Sequence, residues 1–170
     1  MRSSIRGSRW VTNPRLIFGL TVIVTFTVAA LLAPWLAPTA PDDIDIAKRL
    51  LPPGPGGLFG RDLTGGSVLT AMLYGGRTSL YISTLTVALS VSVGTWVGLI
   101  AGYKRGWVDT VLMRTVDLLM AFPGILLAMA LAAMLGPSRG NVILAISATG
   151  WTSAARLIRA QTPVSYTHLT

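Results

Sequence analysis

Charge along this chain is confined to short intervals between long apolar stretches. Residues 16–33, 79–102, 118–135 and 142–155 contain no Asp, Glu, Lys or Arg, over 18, 24, 18 and 14 positions. A helix rises about 1.5 Å per residue, so about 20 residues cross a hydrocarbon core of about 30 Å. Lipid offers no water to backbone N–H and C=O groups, so runs this apolar must be helices that satisfy their own hydrogen bonds. The pattern predicts an all-α, polytopic transmembrane bundle of about four helices. Its centre is a hairpin over 78–135, in which two apolar runs are joined by the short basic loop YKRGWVD. The last run is short for a span and suffices if Asn141 and Arg156 mark its boundaries.

Within the 79–102 run, Ser90, Gly94, Gly98 and Gly102 recur every fourth residue and stack into one groove of missing side chains. Lipid gives helices no hydrophobic reason to associate, so close approach through small residues drives their packing. The stripe therefore reads as a packing face, turned into the bundle or toward a second subunit. The plainer reading is that glycine is frequent in membrane helices anyway. Arg114 and Asp117 share a face of the next run three residues apart. An ionisable residue inside a membrane is a functional candidate by default, and the competing reading is a mutually neutralising i,i+3 pair near the interface. Pro123 has no N–H to donate and clashes with the turn before it, which predicts a kink.

Residues 37–77 differ in kind. Half of the ten prolines lie there (Pro38, Pro41, Pro52, Pro53, Pro55), with many glycines and with Asp42, Asp43, Asp45 and Asp62. This density precludes one long helix. The segment is expected to fold or lie on the surface opposite the N-terminus, with 67–74 (SVLTAMLY) a short amphipathic helix at the interface. The predicted division is a basic N-terminus and first helix (1–36), this Pro/Gly-rich extracytoplasmic segment (37–77), a partial transmembrane domain of three helices (78–163) and a non-native tail (164–170). A signal peptide also begins with basic residues before an apolar core. The run 16–33 is longer than that core, and Ala33-Pro34-Trp35 makes a poor cleavage site, so the first helix reads as uncleaved, with Trp10 and Trp35 as interfacial anchors.

Composition agrees with a membrane protein: mean hydropathy is +0.64, and 12% of residues are charged against about 25% in soluble domains. The net charge of +8 does not indicate nucleic acid, because the basic residues sit singly between apolar runs. Cysteine is absent and the one histidine, His168, is near the end, which removes thiolate metal sites, disulfides and histidine-based triads. No Gly-x-Ser-x-Gly, His-Glu pair or Walker lysine is present, so an enzyme is not expected. Orientation follows Lys and Arg. With the N-terminus cytoplasmic, the inside segments hold eight, and the outside ones hold five, four of them spread over 37–77.

Three stretches carry a family resemblance: FGRDLTGGSVLTAMLYGGRTSL, VGLIAGYKRGWVDTVLMRTVDLLMAFPGILLAMAL and NVILAISATGWTSAARLIRAQ. Together they closely resemble the inner-membrane permeases of binding-protein-dependent ABC transporters. The branch they resemble is the dipeptide/oligopeptide/nickel one, and within it the second, C-type subunit. The resemblance covers about residues 10–162. The family's Gly-Thr-Asp…Gly-Arg-Asp pattern is only half present, since Gly60-Arg61-Asp62 leads to Gly65-Gly66-Ser67. It implies a C-terminally truncated fragment of a type I importer permease in the inner membrane, lacking the ATPase-docking loop and two further helices. Arg156 and Arg159 would mark the start of that coupling loop. The implied partners are a homologous permease, two ATP-binding subunits that alone hold ATP, and an extracytoplasmic solute-binding protein. The implied activity is import of peptides or a related small solute such as nickel by alternating access, from which the short chain, inserted but uncoupled, would be excluded. The reading from another class is a membrane-anchored interaction or assembly protein without transport, which neighbouring genes for ATPases and a binding protein would argue against.

Overall fold

The computed structural model describes residues 13–162. Six α-helices are found among them: α1 (Pro14–Leu31), α2 (Ala33–Leu36), α3 (Val68–Lys104), α4 (Gly106–Ala121), α5 (Gly124–Leu135) and α6 (Arg139–Gln161). No strand forms among the described residues, only two isolated bridges, Gly54 with Gly57 and Arg61 with Ser67. The chain divides into two compact units, Met1–Leu80 and Tyr81–Thr170. Trp10, His168 and the tail 164–170 lie outside the described residues.

In the first unit, α1 starts where local chemistry dictates. Asn13 caps it by accepting from the Arg15 amide at 3.1 Å, and Pro14 occupies a first-turn position where a missing N–H costs nothing. Nearly every side chain of α1 is exposed, as expected of a helix whose solvent is lipid. Its end packs on the start of α3, where a Cβ on Gly76 would meet the Phe26 ring at 3.0 Å. Between them, residues 37–67 form a compact loop. Its ends are pinned by a Thr39 Oγ1 to Thr70 Oγ1 hydrogen bond of 2.9 Å.

Asp62 organises that loop. Its Oδ1 accepts from the Thr64 amide, the Thr64 hydroxyl and the Gly66 amide at 2.8, 2.7 and 2.8 Å. These bonds, the Thr64 hydroxyl first, hold the Asp62 carboxyl below its ordinary value. The Asp62 carbonyl receives the Leu50 amide at 3.0 Å, and the Thr64 carbonyl receives the Asp45 amide at 3.1 Å. Gly65, at φ +80°, is pressed so closely on the Asp45 carbonyl that no side chain fits.

Several sequence expectations change here. Residues 67–74 are not a separate interfacial helix: α3 already begins at Val68, because nothing between 68 and 104 breaks it. The YKRGWVD loop shrinks to Arg105 alone, between Lys104 and Gly106. The third helix does not start at 118, and the bend expected at Pro123 is a full break. It begins at Gly106 and breaks at Phe122 and Pro123, with an 88° bend between α4 and α5. By length and composition, two helices (α1 and α3) suit a span, or three with the bent pair as one. The fourth expected span, α6, falls outside that set because it carries Asn141, several Ser and Thr, and arginines at both ends. It also does not stop near Arg156 but runs on to Gln161.

Candidate functional site

The second unit is built on contact between α3 and α6. Opposite Ser90 is Gly150, where an added Cβ would sit 2.7 Å from the serine Oγ. A Cβ on Gly94 would lie 2.6 Å from the Trp151 carbonyl and 2.5 Å from the Ala154 methyl. On Gly98 it would lie 2.6 Å from the Ala155 carbonyl and 2.9 Å from Ile158 Cβ, and on Gly102 2.6 Å from Thr162 Cβ. The four small positions of the stripe therefore all face α6, where 150, 154, 158 and 162 advance at the same four-residue step. Both series rise together, so α3 and α6 run parallel. Thr86 extends the seam, its carbonyl receiving the Ser147 hydroxyl at 3.4 Å.

Parallel packing has a topological consequence. The ends of α3 and α6 lie at one level, and the chain must regain the other level before α6 can begin. The bent pair α4–α5 makes that return. Ion pairs tie α4 antiparallel to α6. Arg159 grips Asp109 with both ends of its guanidinium, Nε to Oδ1 at 3.0 Å and Nη2 to Oδ2 at 2.5 Å. Higher up, Arg156 Nη2 meets Asp117 Oδ1 at 2.6 Å.

The expected Arg114–Asp117 pair does not form. Asp117 faces α6 and takes Arg156, whereas a basic residue three positions before an acid is the weaker order for pairing along one helix. Arg156 and Arg159 accordingly sit on helix and bind α4, and do not begin a loop. Asp109 was missed as a site residue, since its partner lies 50 positions away. Asn141 does more than mark a boundary. Its Nδ2 donates to the Leu135 and Gly136 carbonyls at 2.6 and 3.0 Å, capping the end of α5. Asparagine after a glycine-containing turn was the available signal.

At Pro123 the helix stops because proline forces the residue before it out of the helical region, and Phe122 lies at φ −87°, ψ 140°. Two hollows flank this break along α6. One, of about 360 Å³, is apolar and runs between α5 and α6, with Ile125, Met129, Val142 and Ile146 in its wall. The other, of about 230 Å³, lies against the break itself and is lined by Met120, Phe122, Gly124, Thr149, Thr152 and Ser153. Three hydroxyls thus gather where the backbone leaves helical geometry. Among the described residues no cluster suited to a metal ion is found.

These features define a multi-pass α-helical membrane protein with a packed helix seam beside a broken span. Two family models match the chain. Residues 7–53 match the N-terminal transmembrane domain of oligopeptide transport permease C, and residues 94–163 match the binding-protein-dependent transport system inner membrane component. The chain belongs to this family of inner-membrane permeases. It is 40% identical over 142 residues to a Brucella suis protein named for a peptide transport system permease, covering 84% of this chain and 48% of that one. It is 37% identical over 149 residues to the dipeptide transport system permease protein DppC of Alkalihalophilus pseudofirmus, covering 88% and 49%. With DppC of Haemophilus influenzae it shares 36% over 154 residues, covering 87% and 52%. The chain spans about half the length of these curated relatives. The second family match contains the seam's glycines, both ion pairs and the broken span.

Proposed function

We propose that this chain forms part of the translocation pathway of an ATP-driven importer, as a permease for peptides or a related small solute such as nickel. The observation that carries this reading is the hydroxyl-lined hollow at the Phe122–Pro123 break. Backbone outside helical geometry is tolerated at membrane depth only where protein covers it or where it lines a water-filled cavity. Broken helices at transporter midplanes supply such sites. Thr149, Thr152 and Ser153 are the polar groups that α6 offers to that cavity. The seam would hold α3 and α6 as one rigid body, against which the broken span moves.

On this reading the chain crosses the membrane four times, through α1, α3, α4–α5 and α6, with its N-terminus cytoplasmic. It has no catalytic step of its own. ATP is bound by two partner subunits, solute is delivered by an extracytoplasmic binding protein, and a homologous permease completes the pathway; nucleic acid has no part. Relatives named for dipeptide transport favour peptides over nickel.

The test uses the absence of native cysteine. Thr149→Cys and Ser153→Cys, expressed with the genes around this one, should react with a membrane-impermeant thiol reagent. Dipeptide should protect them, and labelled dipeptide uptake, absent with the short chain, should appear once coding sequence for the coupling loop and two further helices is joined to it. Reactivity no greater than at lipid-facing Ile23→Cys would remove the pathway assignment. Uptake that persists without the gene would favour the alternative, a membrane-anchored assembly protein.

A further inference from the structure

The loop between α2 and α3 is built inside out. Gly56 and Gly60 are buried, whereas Leu58 and Phe59 between them are 78% and 54% exposed. The two form the tip of a turn closed by the Gly60 amide on the Gly57 carbonyl, which also accepts from the Gly54 amide. Gly57 and Gly60 both stand at positive φ, +95° and +75°, which lets the backbone fold tightly beneath the tip. The base is fixed in turn, with the Arg61 amide on the Leu51 carbonyl at 2.9 Å and the Val68 amide on the Gly60 carbonyl at 3.3 Å. Turn tips in water favour Gly, Asn, Asp and Ser. A rigid turn that raises two large apolar side chains has another phase to meet.

We propose that Leu58 and Phe59 insert into the lipid headgroup–acyl boundary on the face where α2 ends and α3 begins. Three observations select lipid. The run 50–60 contains no charge, so nothing within the tip opposes entry into an apolar layer. Exposed Arg49 leads into it, the place of an anchor's cation among headgroups, whereas Lys48 pairs with Asp45 at 2.6 Å and Arg61 donates to the Gly65 carbonyl at 3.1 Å. The Thr39–Thr70 bond closes the loop at the ends of two lipid-facing helices, so the bilayer is the apolar phase sure to be within its reach. This inference rests on α1 and α3 being spans and not on the substrate or the pathway. Its consequence is a second fixed point that holds the loop flat on the membrane.

The chain without cysteine allows a direct test. Spin labels at Leu58→Cys and Phe59→Cys, one at a time, would be studied in vesicles of phosphatidylethanolamine and phosphatidylglycerol. Collision with oxygen, which concentrates in lipid, is compared with collision with a water-soluble nickel chelate. Ile23→Cys on α1 calibrates lipid and confirms insertion, and exposed Asp43→Cys on the same loop calibrates water. The oxygen-to-nickel ratio at 58 and 59 should exceed that at 43 severalfold and approach that at 23. A ratio at both tip positions equal to that at 43 would overturn the proposal. Exclusion of both reagents would also overturn it, since it would place the tip against protein.

Discussion

Single residues in this protein act chiefly through what they lack. Gly98 has no room for a methyl group, since a Cβ would lie 2.6 Å from the Ala155 carbonyl, and helix backbone cannot yield as a flexible side chain does. Gly75, on the same helix, has nothing within 4 Å. Alanine raises intrinsic helix propensity over glycine by about 1 kcal/mol, so the two substitutions should move stability in opposite directions. Gly98→Ala should lower the thermal midpoint in detergent, at a cost of about 1–3 kcal/mol from overpacking, whereas Gly75→Ala should leave it unchanged or raise it. Equal midpoints would mean that the seam is loose. Asp62 acts by the opposite means, gathering three donors. Because its folded carboxyl titrates below the ordinary 3.8, its contribution is complete above that value and is lost as pH falls through the folded one. Amide protection in 44–67, taken relative to the intrinsic exchange rate at each pH, should therefore fall below about pH 4, the ordinary carboxylate range. Asp62→Asn should reduce that pH step, leaving the part due to Asp45, whose carboxyl the hydrogen bond from Lys48 also holds low.

Elements are shaped by where continuity fails. The fragment 106–135 would be one apolar helix without Pro123, and its 88° bend is a local effect of one ring on the residue before it. With spin labels at Trp107→Cys and Met134→Cys, the bent form should place the sites about 29 Å apart and a straight helix about 40 Å, at 1.5 Å per residue. Pro123→Ala should shift the distance distribution toward the longer value. A distribution that stays short would show that packing on α6 holds the bend, not proline. The ion pairs work at this scale too. Asp109 is much less exposed than Asp117, at 16% against 55% of its side chain, and its grip on Arg159 is two-pronged. It is the anchor of the α4–α6 contact, whereas an exposed pair such as Asp117–Arg156 contributes about 0–1 kcal/mol in water.

For the whole molecule, the parallel course of α3 and α6 sets the number of crossings, which hydropathy alone leaves at two or three. Reporter fusions after Arg9, Gly56, Arg105, Arg139 and Arg159 should read in, out, in, out, in. Arg139 is the decisive site, since a re-entrant α4–α5 would leave it inside. Much of this architecture was legible in the sequence. The apolar runs, their helical state, the small-residue stripe and the position of the break follow from single residues and their neighbours within one or two turns. The lipid solvent and the proline ring act at that range. Tertiary structure alone decided which faces meet. It turned Ser90, Gly94, Gly98 and Gly102 onto α6 in parallel register, gave Asp117 to Arg156 instead of Arg114, and brought Asp109 to Arg159. It also folded 37–67 around Asp62. Those outcomes depend on partners up to about 60 positions apart, and hydropathy along a chain holds no record of which distant surfaces will touch.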